Sequence, residues 1–201
     1  MIRKHMLLTI AAAMASISLP AFSQEEGLTN RNEVTVQAFG SFLKTTNNNG
    51  VQQSATNSGG VLSSYRFLFN NYNGVEVNYG YSLNTQNYSL SGTSVGVPSY
   101  SHEITAAYVV RRPMRHWTPF ALAGTGALIF DPNNTPGFSS QTRAAFVYGG
   151  GADFSLSSHF YVRAEYRGLV YNSPAFDSPA LAGTSRLTHR AEPSIGFGYR
   201  F

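Results

Sequence analysis

The chain has 201 residues, of which 42% are apolar and 12% are charged, and its formal net charge is +4. This composition excludes a disordered or collagen-like chain, and the lack of cysteine excludes a disulfide framework and a thiolate-bound metal. A soluble globular domain carries about 25% charged residues, so the low charge indicates that an apolar solvent covers part of the surface.

The N-terminus predicts a secretory signal peptide over residues 1–23. Arg3 and Lys4 form a positive start, residues 6–15 are apolar, and residues 21–23 form a small-x-small cleavage site. An N-terminal membrane anchor is the alternative, but the apolar run is about half of the ~20 residues that a spanning helix needs.

We therefore expect residues 24–201 to form the exported domain. Removing Arg3 and Lys4 leaves 12 of the 14 basic residues against 10 acidic ones. This near-balance gives no reason to expect nucleic-acid binding.

Alternation with a period of two dominates the exported domain. Between residues 75 and 83, apolar side chains alternate strictly with polar or small ones, and the same alternation runs over residues 187–201. Six further segments fit this pattern less clearly. In chain order, the eight predicted strands are residues 33–43, 60–69, 75–83, 101–111, 118–130, 142–154, 160–171 and 187–201.

Short and long connections alternate between these strands. The short ones are residues 70–73, 112–117 and 155–159, and the long ones are residues 44–59, 84–100, 131–141 and 172–185. The long connections are rich in Asn, Ser, Thr, Gly and Pro, which is typical of loops. In an up-and-down barrel this alternation places every long loop at one end.

Strands of about ten residues are long enough to cross a membrane when they are tilted. We therefore predict an all-β protein, an eight-stranded antiparallel up-and-down transmembrane β-barrel in a bacterial outer membrane. The long loops would face outside and both termini the periplasm. A soluble lipocalin-like barrel, with its apolar face inside, is the alternative. It is disfavoured because the exported domain has a single lysine, Lys44.

The polar faces of the predicted strands carry arginines and glutamates, which can neutralise each other in a narrow lumen. This predicted lumen network consists of Arg66, Glu76, Glu103, Arg163, Glu165, Arg167, Arg190 and Glu192. Because the last two strands are neighbours, we expect Arg163, Glu165, Arg190 and Glu192 to lie close together. A structural network is favoured over a selectivity filter.

Small residues are expected to leave room for these long side chains. On the fifth strand the predicted lumen face carries Ala121, Ala123, Thr125 and Ala127, and on the sixth it carries Gly149 and Gly151. Aromatic residues near the strand ends predict two interfacial girdles. The periplasmic girdle is Phe69, Tyr72, Trp117, Phe160 and Phe201, and the outer one is Tyr81, Phe130 and Tyr171.

Several segments together resemble the small outer-membrane β-barrel family that includes the transmembrane domain of OmpA, OmpX and the opacity-type adhesins. They are the signal peptide and residues 117–126, 148–153, 157–160, 163–167 and 195–201. The resemblance covers essentially the whole exported domain and is strongest in its final third.

The resemblance implies further properties. In the family, an alternating last strand that ends in Phe is similar to the signal read by the barrel-assembly machinery, which implies that role for Phe197, Tyr199 and Phe201. It also implies contact with outer-membrane lipid and lipopolysaccharide. Because the chain stops at Phe201, we expect no peptidoglycan-binding domain and no cell-wall anchoring role.

No motif indicates an enzyme, a metal site or a cofactor. A lipid-modifying outer-membrane enzyme with Ser185, His189 and Glu192 as a triad is disfavoured, because positions 189 and 192 point to opposite faces of a strand. Residues 131–134 could be offered as a calcium loop, but their composition is more typical of a turn.

Three functions are compatible with these features. The first is a structural or surface-interaction protein whose four long loops contact an extracellular ligand or a host surface. The second is a narrow ion-conducting pore, and the third is the disfavoured enzyme. An eight-stranded barrel is just wide enough for side chains to fill it, which favours the first.

Overall fold

The computed structural model describes residues 30–43, 46–48, 51–55, 58–90, 93–132, 140–172 and 187–201. The predicted signal peptide lies outside these residues. None of the described segments forms a helix long and apolar enough to cross a membrane. Their ten strands are β1 (Asn32–Leu43), β2 (Thr46–Asn48), β3 (Val51–Ala55), β4 (Ser58–Leu68), β5 (Asn73–Leu90), β6 (Thr93–Arg111), β7 (Trp117–Pro132), β8 (Gln141–Ser155), β9 (Phe160–Asn172) and β10 (Leu187–Arg200).

Eight of these strands, β1 and β4 to β10, close into an antiparallel barrel, which confirms the predicted fold. Each of these eight strands pairs with the barrel strands before and after it in the chain, and the first and last, β1 and β10, pair with each other. The β5–β6 pairing completes the ring. Closure pairs both edges of every barrel strand within the described residues, so the backbone polar groups of the wall are kept from lipid.

Tight connections join the strands at one end of the barrel, here called the turn end. They are residues 69–72, 112–116 and 156–159. In the first of them the Asn70 side-chain oxygen accepts hydrogen bonds from the backbone N–H groups of Tyr72 and Asn73, both at 2.9 Å. An Asn that bonds to the backbone two and three residues ahead is a common turn device, and the turn consequently needs no glycine.

At the opposite end, called the loop end, two of the predicted loops are largely strand. β5 and β6 stay paired as far as Leu90 and Thr93, and β3 pairs with β5 from Val51–Leu90 to Ala55–Gln86. We call this extension, built from β2, β3 and residues 86–90 and 93–97, the loop-end sheet. The loop prediction is therefore wrong for residues 84–100, and also for residues 44–59 where they are described. Polar residue types do not prevent a strand here, because backbone pairing joins these segments.

The barrel is polar inside and apolar outside. On β5, Glu76 and Asn78 are buried in the lumen, while Val75 and Val77 face outward. The same arrangement runs along β10, where Ile195 is exposed. A soluble barrel needs the reverse orientation, so this alternative does not fit.

The orientation predicted for the strand that is now β7 is wrong. The residues expected in the lumen, Ala121, Ala123, Thr125 and Ala127, lie on the outer face. The lumen receives Phe120, Leu122, Leu128 and Phe130 instead. Both faces of β7 are apolar, so polarity could not determine which of them points inward. Pairing with β6 and β8 determines it.

Two members of the predicted outer girdle are also misplaced, Phe130 because β7 has the opposite orientation and Tyr171 because it shares the inward parity of Arg167 on β9. Phe130 and Tyr171 are buried in the lumen, and their rings contact each other with centroids 5.8 Å apart. Tyr81 does face outward, where it stacks on Tyr100. The turn-end girdle residues Phe69, Tyr72, Trp117, Phe160 and Phe201 are all exposed.

Candidate functional site

The inward face of the barrel concentrates the charge of the described residues. All eight residues of the predicted lumen network are buried there, each with 5% or less of its surface exposed. Two further acids, Glu33 and Asp153, are fully buried with them. Sequence reasoning missed both of these acids. Glu33 lies two residues before the inward-facing Thr35 on β1, and Asp153 lies two residues after Gly151 on β8, so each shares the inward parity of its strand. The parity along each strand was the signal that could have found them.

Two cross-strand pairs form the centre of the network near the turn end. Arg66 and Glu76 are direct neighbours on β4 and β5, and Asp153 and Arg163 are direct neighbours on β8 and β9. Arg66 Nη2 lies 2.6 Å from Glu76 Oε2. Arg163 Nε lies 2.7 Å from Asp153 Oδ1. Each hairpin therefore supplies one acid and one base.

The two pairs are also joined to each other across the lumen. Arg163 Nη1 donates to Glu76 Oε2 at 2.9 Å, and Arg66 Nη1 donates to Asp153 Oδ2 at 3.3 Å. Both guanidinium groups come within 3.6 Å of Glu33 Oε2. Opposite charges in a low-dielectric interior attract strongly, so these contacts hold β1 and the two hairpins together.

Two outer arginines close the network on the side of the turns. Arg111 Nη1 lies 2.6 Å from Glu33 Oε1, and Arg200 Nε donates to the same oxygen at 3.0 Å. Their side chains are only 10% and 12% exposed. Glu33 is therefore surrounded by guanidinium groups, and water at the turn end meets arginine side chains instead of a free carboxylate.

An aromatic ring fills the space beside the central guanidinium groups. The Cζ atom of Arg66 lies 4.4 Å from the centroid of Phe120, and that of Arg163 lies 4.8 Å from it. Guanidinium groups stack favourably on aromatic rings. Phe120 thus gives the two like charges a shared apolar support where water would otherwise be needed.

A second set of ion pairs lies further from the turn end. Arg167 binds Glu103 through Nη2 and also donates to Thr105 Oγ1 at 3.2 Å. Arg190 pairs with Glu192 on its own strand and donates to Ser101 Oγ at 3.0 Å. These pairs extend the polar interior from the turn end toward the loop end.

The expected grouping of charges on the last two strands is therefore different from the observed one. Arg163 pairs with Asp153 and Glu76, and no ion pair between the described residues joins it to Glu165. Glu165 Oε2 instead accepts a hydrogen bond from Gln37 Nε2 at 3.0 Å, and Gln37 Oε1 accepts one from Ser194. Arg163 therefore pairs with its direct neighbour on β8 and, because an arginine is long enough to cross a narrow lumen, also with an acid on β5.

One wall of the lumen is apolar. Side chains of β6, β7, β8 and β9 form a continuous buried cluster there, which consists of Ala107, Val109, Phe120, Leu122, Leu128, Phe130, Ala145, Val147, Leu169 and Tyr171. Six buried carboxylates, four buried arginines and this cluster fill the interior of the barrel. The arrangement is suited to closing the lumen.

The residues considered for catalysis are not brought together. His189 faces outward, with Nε2 2.9 Å from the hydroxyl of Tyr148, whereas Glu192 is buried in the lumen. Ser185 lies outside the described residues, as do Asn133 and Asn134 of the considered calcium loop. The part of the chain that the structure describes contains no cluster of three or more His, Cys, Asp or Glu residues suited to a metal ion.

The aromatic side chains of the last strand lie on the outer face. Phe197 is 70% exposed, and Tyr199 and Phe201 face outward beside it. Tyr199 also contacts Phe160, with ring centroids 5.0 Å apart. These three aromatic side chains thus form an accessible row on the strand that closes the barrel against β1.

Comparison with known proteins agrees with this geometry. The model of the family described as outer membrane protein beta-barrel domain matches residues 9–201. No curated protein sequence matches the chain.

Several solved structures share the fold. The outer membrane protein OprG of Pseudomonas aeruginosa has a TM-score of 0.61 at 16% identity, over 89% of this chain and 99% of its own. Neisserial surface protein A has a TM-score of 0.63 at 13% identity, over 85% of this chain and 97% of its own. The attachment invasion locus protein Ail of Yersinia pestis has a TM-score of 0.52 at 19% identity, over 87% of this chain and 100% of its own. It was solved in complex with the heparin analogue sucrose octasulfate.

Proposed function

The chain belongs to the outer membrane protein beta-barrel domain family. We propose that it is a closed barrel that acts at the cell surface through its loop-end sheet. Membership of this family supports a location in the outer membrane of a Gram-negative bacterium. The loop end then faces outside and the turn end faces the periplasm, as the connections of such barrels do.

The filled lumen is the observation that carries this proposal. Salt bridges join Arg66 and Arg163 to the acids of other hairpins, and Phe120 occupies the remaining space beside them. A solute path through this region would need several buried ion pairs to separate, and separating one such pair costs about 3–5 kcal/mol. Function is therefore assigned to the surface of the barrel.

The loop-end sheet provides a surface of defined chemistry. Residues 84–100 contain no charged side chain, and residues 44–59 contain only Lys44. Asn, Gln, Ser and Thr dominate both segments, and residues 84–100 add two Tyr, so the sheet can donate and accept hydrogen bonds without strong charge. This composition favours an uncharged ligand such as a neutral glycan. A sulfated saccharide such as the sucrose octasulfate solved with Ail finds little basic charge here.

Shortening the β5–β6 hairpin tests this proposal. Residues 86–97 are replaced by a two-residue turn, which removes the hairpin above the Thr85–Pro98 pair and leaves the barrel intact. The purified variant is probed on an array of neutral and sulfated oligosaccharides. We expect binding of neutral glycans by the unaltered protein and its loss in the variant.

The control inserts residues into the turn at residues 69–72, at the opposite end of the barrel. It should bind like the unaltered protein. Equal binding by the shortened variant, or binding of sulfated glycans alone, contradicts the proposal.

The ion-conducting pore is the second candidate, and one observation favours it. Both side-chain polar atoms of Asn78, Nε and Nη1 of Arg167, and one oxygen of Glu165 are buried without a hydrogen-bond partner among the described residues. Buried polar atoms of this kind are usually bonded to water. Steady conductance of the unaltered protein in a planar bilayer would support this candidate. A lack of conductance would support the closed barrel.

The proposal includes no catalytic activity and no cofactor. It includes recognition of the outward row Phe197, Tyr199 and Phe201 by the barrel-assembly machinery, and contact of the loop end with lipopolysaccharide. The exposure of that row supports the first of these. Replacing Phe201 with Ser should lower the amount of folded protein in the outer membrane without lowering its synthesis.

A further inference from the structure

Charges of opposite sign are separated at the turn end. The acids nearest to it among the described residues, Glu33, Glu76 and Asp153, are fully buried, and arginines inside the barrel neutralise them. Arg112 and Arg115 lie exposed in the turn between β6 and β7. No carboxylate of the described residues forms an ion pair with either of them. The outer surface of this turn is therefore basic.

Apolar side chains adjoin these two arginines. Trp117 and Phe154 are direct neighbours on β7 and β8, and both face outward with 42% and 45% of their surface exposed. Met114, which lies between the two arginines in the chain, is also exposed. We call these five residues the turn patch.

The backbone holds the turn patch in one arrangement. The N–H of Met114 donates to the carbonyl of Trp117 at 3.0 Å, and the N–H of Arg112 donates to that of Pro119 at 3.0 Å. The N–H of Ser155 donates to the carbonyl of His116 at 3.1 Å, which joins this turn to the next hairpin. The arginines thus stay beyond the strand ends, while the aromatic rings stay on the barrel wall.

We propose that the turn patch binds an anionic phospholipid of the adjacent leaflet. Arg112 and Arg115 would contact the phosphate, and Trp117 and Phe154 would lie against the glycerol region and the first part of the acyl chains. The order of cation and then aromatic ring along the barrel axis matches the order of headgroup and chain in a lipid. A soluble anion would use the arginines but would leave the apolar side chains without a partner.

The chain contains its own reporter for this site. Trp117 is the only tryptophan, so its fluorescence comes from the turn patch alone. The folded protein is reconstituted in phosphatidylcholine bilayers that contain a small fraction of brominated lipid, which quenches tryptophan on contact. Brominated phosphatidylglycerol is compared with brominated phosphatidylcholine at equal mole fraction.

We expect the relative association constant at Trp117 to favour phosphatidylglycerol by at least about fivefold, since each of the two arginines near a charged surface contributes up to about that factor. The preference should fall toward one in the variant R112Q/R115Q and at high salt. Equal quenching by the two lipids in the unaltered protein overturns the proposal, whether or not the variant folds.

A control variant keeps the total charge change the same. K44Q/R143Q removes two basic residues outside the turn patch, because Lys44 directly follows β1 in the sequence and Arg143 lies near the loop end of β8. It should retain the full preference for phosphatidylglycerol. A loss of preference in this control would assign the effect to net charge and would also overturn the site.

Discussion

Asp153 and Arg163 face each other across β8 and β9 and are joined by two parallel hydrogen bonds, from Nε to Oδ1 at 2.7 Å and from Nη2 to Oδ2 at 3.0 Å. This bidentate geometry is the strongest form of an arginine–carboxylate contact. Because Arg163 also reaches Glu76 on another hairpin, one side chain joins segments that are 87 residues apart in the chain.

Replacing Arg163 with Met should destabilise the folded barrel strongly. The change leaves Asp153 buried with only the longer contact from Arg66, and an uncompensated buried charge costs about 3–5 kcal/mol. The free energy of unfolding is measured by urea titration in lipid vesicles. The double variant D153N/R163M should lose less stability than R163M, because it removes the unpaired acid as well.

Glu165 provides the matched control for this experiment. Its carboxylate accepts a hydrogen bond from Gln37 and forms no ion pair with the described residues, so Glu165→Gln keeps an acceptor and removes no charge partner. We expect a change below about 1 kcal/mol. A cost for E165Q equal to that for R163M would mean that Glu165, and not Asp153, is the main partner of the arginines.

Phe120 should be necessary for closing the lumen. Phe120→Ala removes a buried ring on which Arg66 and Arg163 stack, so a loss of about 3–5 kcal/mol and a rise in planar-bilayer conductance are expected. Phe146 on β8 is the control, because it faces outward and is 49% exposed. F146A should leave conductance unchanged. If both variants behave alike, the lumen is not closed by this ring.

The outward orientation of Ala123 can be tested by introducing a charge. Arg at Ala123, near the middle of β7, should cost about 2–4 kcal/mol, because the guanidinium must then be accommodated in lipid. Asn71→Arg is the control, since Asn71 is exposed in a turn. Equal stability of the two variants in unfolding titrations would contradict a lipid-facing position of Ala123.

The absence of cysteine allows a direct test of orientation in the cell. Single cysteines are introduced at Ser140, exposed at the loop end, and at Ser158, exposed at the turn end. A membrane-impermeant maleimide added to intact cells should label S140C and leave S158C unlabelled until the cells are broken. The reverse pattern would invert the topology.

The strand pattern of this protein could be derived from its residues because polarity alternates wherever one face meets lipid. On β5 and β10 each apolar side chain has a polar or small neighbour, so one residue after another is assigned to a face. The closed barrel and the inward location of Arg66, Glu103 and Arg190 follow from that alternation together with the number and length of the strands.

Pairing between distant residues required the tertiary structure. β7 is apolar on both faces, so only its register with β6 and β8 decides that Phe120 points inward and Ala121 outward. The contact of Arg163 with Glu76 was equally hidden, because a long side chain in a closed barrel reaches strands that are far away in the sequence. The loop-end sheet depends on backbone hydrogen bonds between β3 and β5, which side-chain polarity does not encode. Where polarity alternates along a strand, the sequence by itself thus determined which side chains avoid lipid, since that choice is local. Closure of the barrel determined the faces of β7 and which charges meet across it, since those choices depend on strand register and on distances across the lumen.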